Sequence, residues 1–515
     1  SVIVHLGPTV KLPHGATTGG TPIAEPTQQE CMNCLWQRRA EADEWWKGVQ
    51  GAIDDAEQRM VQRQAFAGLL WSKQFYHFDV RRWLDGDPGQ PHPPIERKHG
   101  RNQHWRHFAV RRVMAMPDTW EYPWFAAWDH AFHAVAYARI DPDFAKRQIS
   151  EFLTDDFIHP NGALPAYEWA FDDANPPLQA WAAWRVYQID RKMKGAGDLD
   201  FLIHVLNRLS MNFTWWVNRK DKEGHNVFEG GFLGLDNIGV FDRSRELPLG
   251  GTLQQADGTA WMGMYALSLM RIAIELAMHW PIYQDLATKF FEHFLQIAEA
   301  MTDLHGCGTG LWDEQDGFYY DQIRFDHHVD RLRVRSMVGL IPLFAVEVLE
   351  EDLLQHLPGF YKRMQWFLRN EQELAQHVTQ PGTAGGVDHH RHVLLAVPSK
   401  ARTSPQASRK CASGTCHLHS AEVSSWYSET WALRLTFASA CPNGSFLSSL
   451  AAVAPGRSAR PSTPQMASAE SMAGPRAVVW RHGGGAAARA DCPANRPSSR
   501  TWGGRRVRRP RRRVD

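Results

Sequence analysis

The run Glu229-Gly-Gly-Phe-Leu-Gly-Leu-Asp236-Asn237-Ile-Gly-Val-Phe-Asp242-Arg243 puts carboxylates and an arginine on a glycine-rich stretch directly after an amphipathic segment. Glycine lets the backbone approach a ligand closely, and a loop at the end of a rigid element is where reactive side chains are displayed. The stretch reads either as an active-site loop or as a turn with solvated charges. Tryptophans cluster between Trp71 and Trp261, as in Trp120-Glu-Tyr-Pro-Trp124-Phe-Ala-Ala-Trp128-Asp129-His-Ala-Phe-His133 and Tyr167-Glu168-Trp169. An indole face can stack on the C–H face of a pyranose while its N–H finds a polar partner, and neighbouring carboxylates accept hydroxyl hydrogens. Trp124 and Trp128, four apart, equally suit one packed helix face. Asp129 and Glu168, inside these aromatic runs, would be costly to bury unpaired, which favours a binding surface for sugars.

The elements that must hold these residues are helical from about Glu41 to His377. Leu202, Val205, Leu206, Leu209, Phe213 and Trp216 recur at spacings of three and four, the mark of one buried helix face. The period returns in Leu286, Phe290, Phe294, Ile297 and Met301, and in Met337, Ile341, Phe344 and Val348. Further helices are predicted around Gln58 to Trp83, Trp124 to Ala138, Pro177 to Ile189, Gly258 to Leu276 and Glu351 to Leu368, with little strand-like alternation. Amphipathic helices joined by Pro- and Gly-containing breaks suggest helix pairs wound into a toroid or a solenoid. No regular repeat is visible, which favours the toroid.

Composition agrees with a large folded core: 515 residues, 43% hydrophobic, net charge +1. That balance gives no global bias toward nucleic acid or membrane. No apolar run approaches the roughly 20 residues that span a bilayer, and the first residues lack a basic-then-apolar secretory signature. A cytoplasmic location is the expectation, although the chain opens at Ser1 without a methionine, as a fragment would. Cys31 and Cys34 form a lone CxxC among seven cysteines, weak grounds for zinc, and no cofactor or metal is expected.

Residues 1–40 are featureless and read as a disordered or non-native leader, residues 41–390 as the helical domain, and residues 391–515 as a disordered tail. In the tail isoleucine is absent, Arg, Ser, Ala, Pro and Gly dominate, and the end is a basic run from Arg505 to Arg513. A genuine tail of this kind would bind nucleic acid or another polyanion through charge. Trp426, Tyr427, Trp431 and four scattered cysteines are unusual for such a tail and fit better an out-of-frame translation of GC-rich coding DNA.

Trp128-Asp129-His-Ala-Phe-His133, Asn175-Pro-Pro177, Gly234-Leu-Asp236-Asn237 with Asp242-Arg243, Asp257-Gly-Thr-Ala-Trp261-Met, and Gly310-Leu-Trp312-Asp313 through Tyr320-Asp321 occur in the order that resembles glycoside hydrolase family 63, which holds processing α-glucosidases and mannosylglycerate hydrolases. The resemblance implies an all-α (α/α)6 toroid, incomplete at its C-terminal end, acting with inversion on α-glycosidic bonds of oligosaccharides or glycosyl-glycerates. It implies Asp236 as general acid, and Trp124, Trp128, Asp129, His133, Glu168, Asn175, Asn237, Arg243, Asp257 and Trp261 as substrate-binding residues. Inversion needs a protonated carboxyl at the leaving oxygen and a second carboxylate roughly 6.5 to 9.5 Å away to activate water. Burial among aromatic rings would raise the acid's pKa.

The family's general base is a glutamate beyond a Trp-Arg-Gly-Pro type segment, and this sequence has neither; Glu422, Glu429 and Glu470 sit in unrelated contexts. The expectation is therefore weak or absent hydrolysis. A non-catalytic carbohydrate-binding protein is the alternative. A polysaccharide lyase drafting Tyr167 or His133 as base beside Arg243, and a nucleic-acid binder relying on the arginine tail, stand further off.

Overall fold

The helical spacings become paired helices in the computed structural model of the chain, which describes residues 27–117, 122–219, 226–228, 243, 247, 250–302, 310–325, 328–371, 374–379 and 392–397. Helix α1 (Gln28–Val49) starts inside the stretch expected to be a disordered leader. The reason is a capping box that the composition of the leader concealed: the Thr27 side chain accepts from the Glu30 N–H, and the Glu30 carboxylate accepts from the Thr27 N–H at 2.7 Å. Cys31 and Cys34 lie at the start of this helix as free thiols.

The single helix expected from Gln58 to Trp83 is three elements. Helix α2 (Ala56–Trp71) is capped by Asp55. The alternating Lys-Gln-Phe-Tyr-His-Phe-Asp run then forms β1 (Lys73–Asp79), and Asp79 caps the short α3 (Val80–Asp85). Strand β1 pairs antiparallel with β2 (Ala109–Ala115), a partner more than thirty residues away that local periodicity does not reveal.

Three helix pairs follow: α4 (Ala127–Tyr137) with α5 (Pro142–Phe152), α6 (Gln179–Lys194) with α7 (Leu199–Val217), and, after the short β3 (Thr252–Gln254), α8 (Ala256–Ala277) with α9 (Tyr283–Thr302). Alternate helices pack together, α4 on α6 and α6 on α8 in one layer, α5 on α7 in the other. This inner and outer alternation is the all-α toroidal arrangement. The inner helices are the more completely buried. Helix α8 is long and apolar enough by length and composition to cross a membrane, yet almost every residue of it is covered by neighbouring helices, as a core helix requires. On α7 the residues Leu202, Val205, Leu206, Leu209, Phe213 and Trp216 are all buried, as their spacing predicts.

The inner helices run in the same direction. Gln179, opening α6, donates to the carbonyl of Ala127, opening α4, at 2.9 Å. At the other ends, Tyr187 and Arg191 of α6 both donate to Glu275, near the end of α8, at 2.7 and 2.8 Å. The N-termini of α4, α6 and α8 therefore gather at one face. The opposite face is locked by charge: Lys146 of α5 meets Asp190 at 2.9 Å and Asp198 at 2.6 Å, while Lys194 meets Asp190 at 3.0 Å and Asp143 at 2.6 Å. Burial opposes the charge on Lys146, but the two carboxylates hold its ammonium above its ordinary pKa.

Beyond α9 the expected regular helices give way to mixed structure. β4 (Trp312–Asp313) pairs with β5 (Phe318–Tyr319), and β6 (Asp321–Arg324) lies between β3 and β7 (Val329–Leu332). The helix read from Met337 to Val348 is instead a 3₁₀ segment, Met337–Phe344, followed by β8 (Val346–Glu350). Pro342 within it has no N–H for an α-helical ladder. The helix read from Glu351 to Leu368 divides at Pro358 into α10 (Glu351–Gln355) and α11 (Pro358–Asn370), which packs on α9. After β9 (Val378–Thr379), β10 (His392–Ala396) pairs with both β8 and β9. The disordered tail expected from residue 391 thus begins with a strand, its Val393, Leu395 and Val397 buried in alternation. The basic run from Arg505 lies outside the described residues.

Candidate functional site

The gathered N-termini carry most of the residues singled out from the sequence. Helix α4 begins without a side-chain cap, leaving Asp129 in its first turn, where the exposed N–H groups and the helix dipole favour a negative charge. Against this, burial pushes the Asp129 carboxyl up to about 6, and a hydrogen bond from its own N–H only partly offsets the rise. Trp128 packs against Phe132, with ring centroids 6.1 Å apart, at the edge of the core. Tyr122 lies within electrostatic reach of Asp129, and its ring is 4.6 Å from that of Trp124.

A second segment closes over this helix start. The Ala166 carbonyl accepts from the Ala127 N–H at 2.8 Å and from the Asn175 side-chain amide at 3.0 Å, and Tyr167 bridges to Ala126. These bonds bring the Tyr167-Glu168-Trp169 turn and Asn175 to the start of α4, with Trp169 against Trp124. Burial raises the Glu168 carboxyl pKa, while a hydrogen bond with Tyr76 and the charge of Arg101 pull it down. Asn175 is 9% exposed, and its Oδ1 meets no partner among the described residues. It lines a small cavity with Gln179, Asn212, Trp215 and Trp216. The Asn-Pro-Pro sequence thus opens with a buried acceptor oxygen just before α6.

The start of α8 holds a third group. Arg243 is 4% exposed and its guanidinium makes two bonds to Asp257, Nη1 to Oδ2 at 3.0 Å and Nη2 to Oδ1 at 2.5 Å. Its Nη2 also lies 3.0 Å from Asp321 of β6, whose other oxygen accepts from the Ala256 N–H at 2.8 Å. Turned to satisfy both groups, the Gln255 amide oxygen accepts from Arg243 Nε at 3.1 Å. Burial raises the Asp321 carboxyl, the Arg243 charge opposes this, and the Asp257 charge adds to it. Arg243 thus ties the start of α8 to β6 through Asp257 and Asp321. Trp261, one turn beyond Asp257, is buried with its Nε1 unpaired among the described residues, its ring 5.8 Å from Phe344.

His133 belongs to a different set. Burial pushes its imidazole down to about 4, and its hydrogen bond is with the backbone of Ala115 in β2. His130, also pushed down to about 4 by burial, meets Gln148, which in turn accepts from the Ala115 N–H. These neutral rings fasten β2 to α4 and α5. Asp236 and Asn237 lie outside the described residues. Tyr76, Arg101, Tyr122 and Asp321 were not singled out as site residues from the sequence. Asp321 closes the last of the ordered motifs, a signal that was available; Tyr76 and Arg101 reach the site through long-range pairing that carries none.

Residues 122–237 match the family described as the mannosylglycerate hydrolase MGH1-like glycoside hydrolase domain. A curated relative, the uncharacterized protein YMR196W of Saccharomyces cerevisiae, is 48% identical over 385 residues, covering 72% of this chain. The chain spans 35% of the length of that relative. Among solved structures, the GH63 mannosylglycerate hydrolase from Thermus thermophilus in complex with glucose is 15% identical over 57% of this chain and 77% of that one, with a TM-score of 0.35. The same enzyme in complex with Tris and D-glycerate aligns over 59% of this chain and 79% of its own at 15% identity and a TM-score of 0.36.

Proposed function

We propose, from the premise that this chain carries a GH63-like glycoside hydrolase domain of the MGH1-like kind, that it binds the non-reducing end of an α-linked oligosaccharide or glycosyl-glycerate and belongs to an inverting hydrolytic lineage. The observation that carries the reading is the convergence of Trp124, Trp128, Asp129, Glu168 and Asn175 on the face where three parallel inner helices begin. Trp128 stacks on the sugar, Asp129 accepts its hydroxyls, and the unpaired Asn175 oxygen takes a further hydroxyl hydrogen. Asp236 is the general acid in this reading. Arg243, consumed by Asp257 and Asp321, anchors its segment instead of touching substrate.

No glutamate in this sequence occupies the context of the family's general base, so slow or absent turnover is expected, since loss of one acid-base partner removes about 100- to 10,000-fold in rate. The test is NMR observation of the anomeric proton during incubation with α-glucosides, mannosylglycerate and glucosylglycerate. The expected result is binding with at most trace release of β-configured sugar, abolished by Asp236→Asn. Turnover matching an intact family member would overturn the missing-base argument, and a retained α-configured product would overturn inversion. Sugar affinity unchanged by Asp129→Ala would remove the site. The same missing base favours, as second reading, a carbohydrate-binding protein without catalysis; there Asp236→Asn leaves affinity intact and no product forms.

A further inference from the structure

Trp169 is 43% exposed, and its ring is packed on two sides. The Arg101 guanidinium lies 3.7 Å from the centre of its ring and is itself 4.9 Å from the ring of Trp83. Trp124 meets Trp169 edge to face at 5.3 Å. The backbone on either side of Trp169 is clamped by one residue: Asn102 donates to the Glu168 carbonyl at 2.6 Å and accepts from the Phe171 N–H at 2.9 Å. Asn102 is 3% exposed and adopts a left-handed φ of 61°, a conformation asparagine tolerates better than most residues. A buried residue in a sparsely populated conformation whose side chain brackets an exposed tryptophan marks a segment built to present that ring.

We infer that Trp169, backed by Arg101 and braced by Asn102, is a second sugar-stacking subsite, for a pyranose at least two rings away from the sugar at Trp128 and Asp129. The inference rests on the glycosidase reading and deepens it: the ligand is an oligosaccharide of three or more units, not a lone glycosyl-glycerate. The rings run from Tyr122, within electrostatic reach of Asp129, through Trp124 to Trp169 with successive centroid separations of 4.6 and 5.3 Å. A ring already fixed loses little freedom when a sugar settles on it, so its stacking is realised as affinity.

The test is isothermal titration calorimetry of the full chain with disaccharides and tetrasaccharides of α-linked glucose and of α-linked mannose. In at least one series the tetrasaccharide should bind more tightly than the disaccharide. Trp169→Ala should then weaken tetrasaccharide binding about threefold to tenfold and leave disaccharide binding within about twofold. That retained disaccharide binding also reports an intact fold, and Trp169→Phe should recover most of the loss. Equal weakening of both ligands, no weakening of either, or no dependence on length in the parent chain would overturn the subsite while leaving the glycosidase reading standing. No binding of any of the four sugars would overturn both.

Discussion

At the mouth of the inner helices, Asp129 combines a helix N-terminus, which favours its charge, with burial, which does not, and burial dominates. A carboxyl whose folded pKa stands above its unfolded value stabilises the fold at low pH, and this contribution is lost as pH rises from about 4 through about 6. Solvent still reaches part of the residue, so the rise from 3.8 to about 6, at 1.36 kcal/mol per pH unit, is discounted to a cost of about 1–2 kcal/mol near pH 7. Asp129→Asn should therefore be more stable than the parent by that amount at pH 7 and equal to it below about pH 4 in urea titrations, while binding sugar less well. Equal stability at both pH values would show that Asp129 ionises freely. The residue was legible because a charge inside an aromatic run calls for a reason. Glu168 was legible on the same ground, but its partners Tyr76 and Arg101 were not, since they arrive from a strand and a loop more than sixty residues earlier.

Helix α8 and strand β6 meet through a buried cation between two carboxylates. Removing Arg243 leaves Asp257 and Asp321 close together with no counter-charge, and Arg243→Met should cost about 3–5 kcal/mol of stability in urea unfolding. A loss below about 1 kcal/mol would mean that the two acids are protonated or hydrated without it. The paired helices were more legible in the sequence than the strands and short segments around them. The 3.6-residue period of α7, α8 and α9 follows from burial of one face or all faces and is written locally. β1, β8 and β10 depend on partners distant in sequence, and a proline turned one expected α-helix into a 3₁₀ segment. The sequence shows the Arg243 charge but not the two acids, Asp257 and Asp321, that meet it.

Taken whole, the molecule has a well-covered helical ring and a less covered N-terminal hairpin. Trp36 on α1, and Met60, Val61 and Trp71 on α2, are all more than half exposed, Trp71 at 80%. Large apolar residues left exposed are candidate association contacts. Light scattering should find the purified chain associating as concentration rises, with Trp36→Glu and Trp71→Glu together reducing it; a monomer at every concentration would remove this expectation. The ring responds to change differently at its two ends. Lys146 and Lys194 gather Asp143, Asp190 and Asp198 at the end away from the starts of α4, α6 and α8. Segments at the starts of α4, α6 and α8 can therefore lengthen, shorten or change while the charged cluster at the opposite end keeps the helices in place.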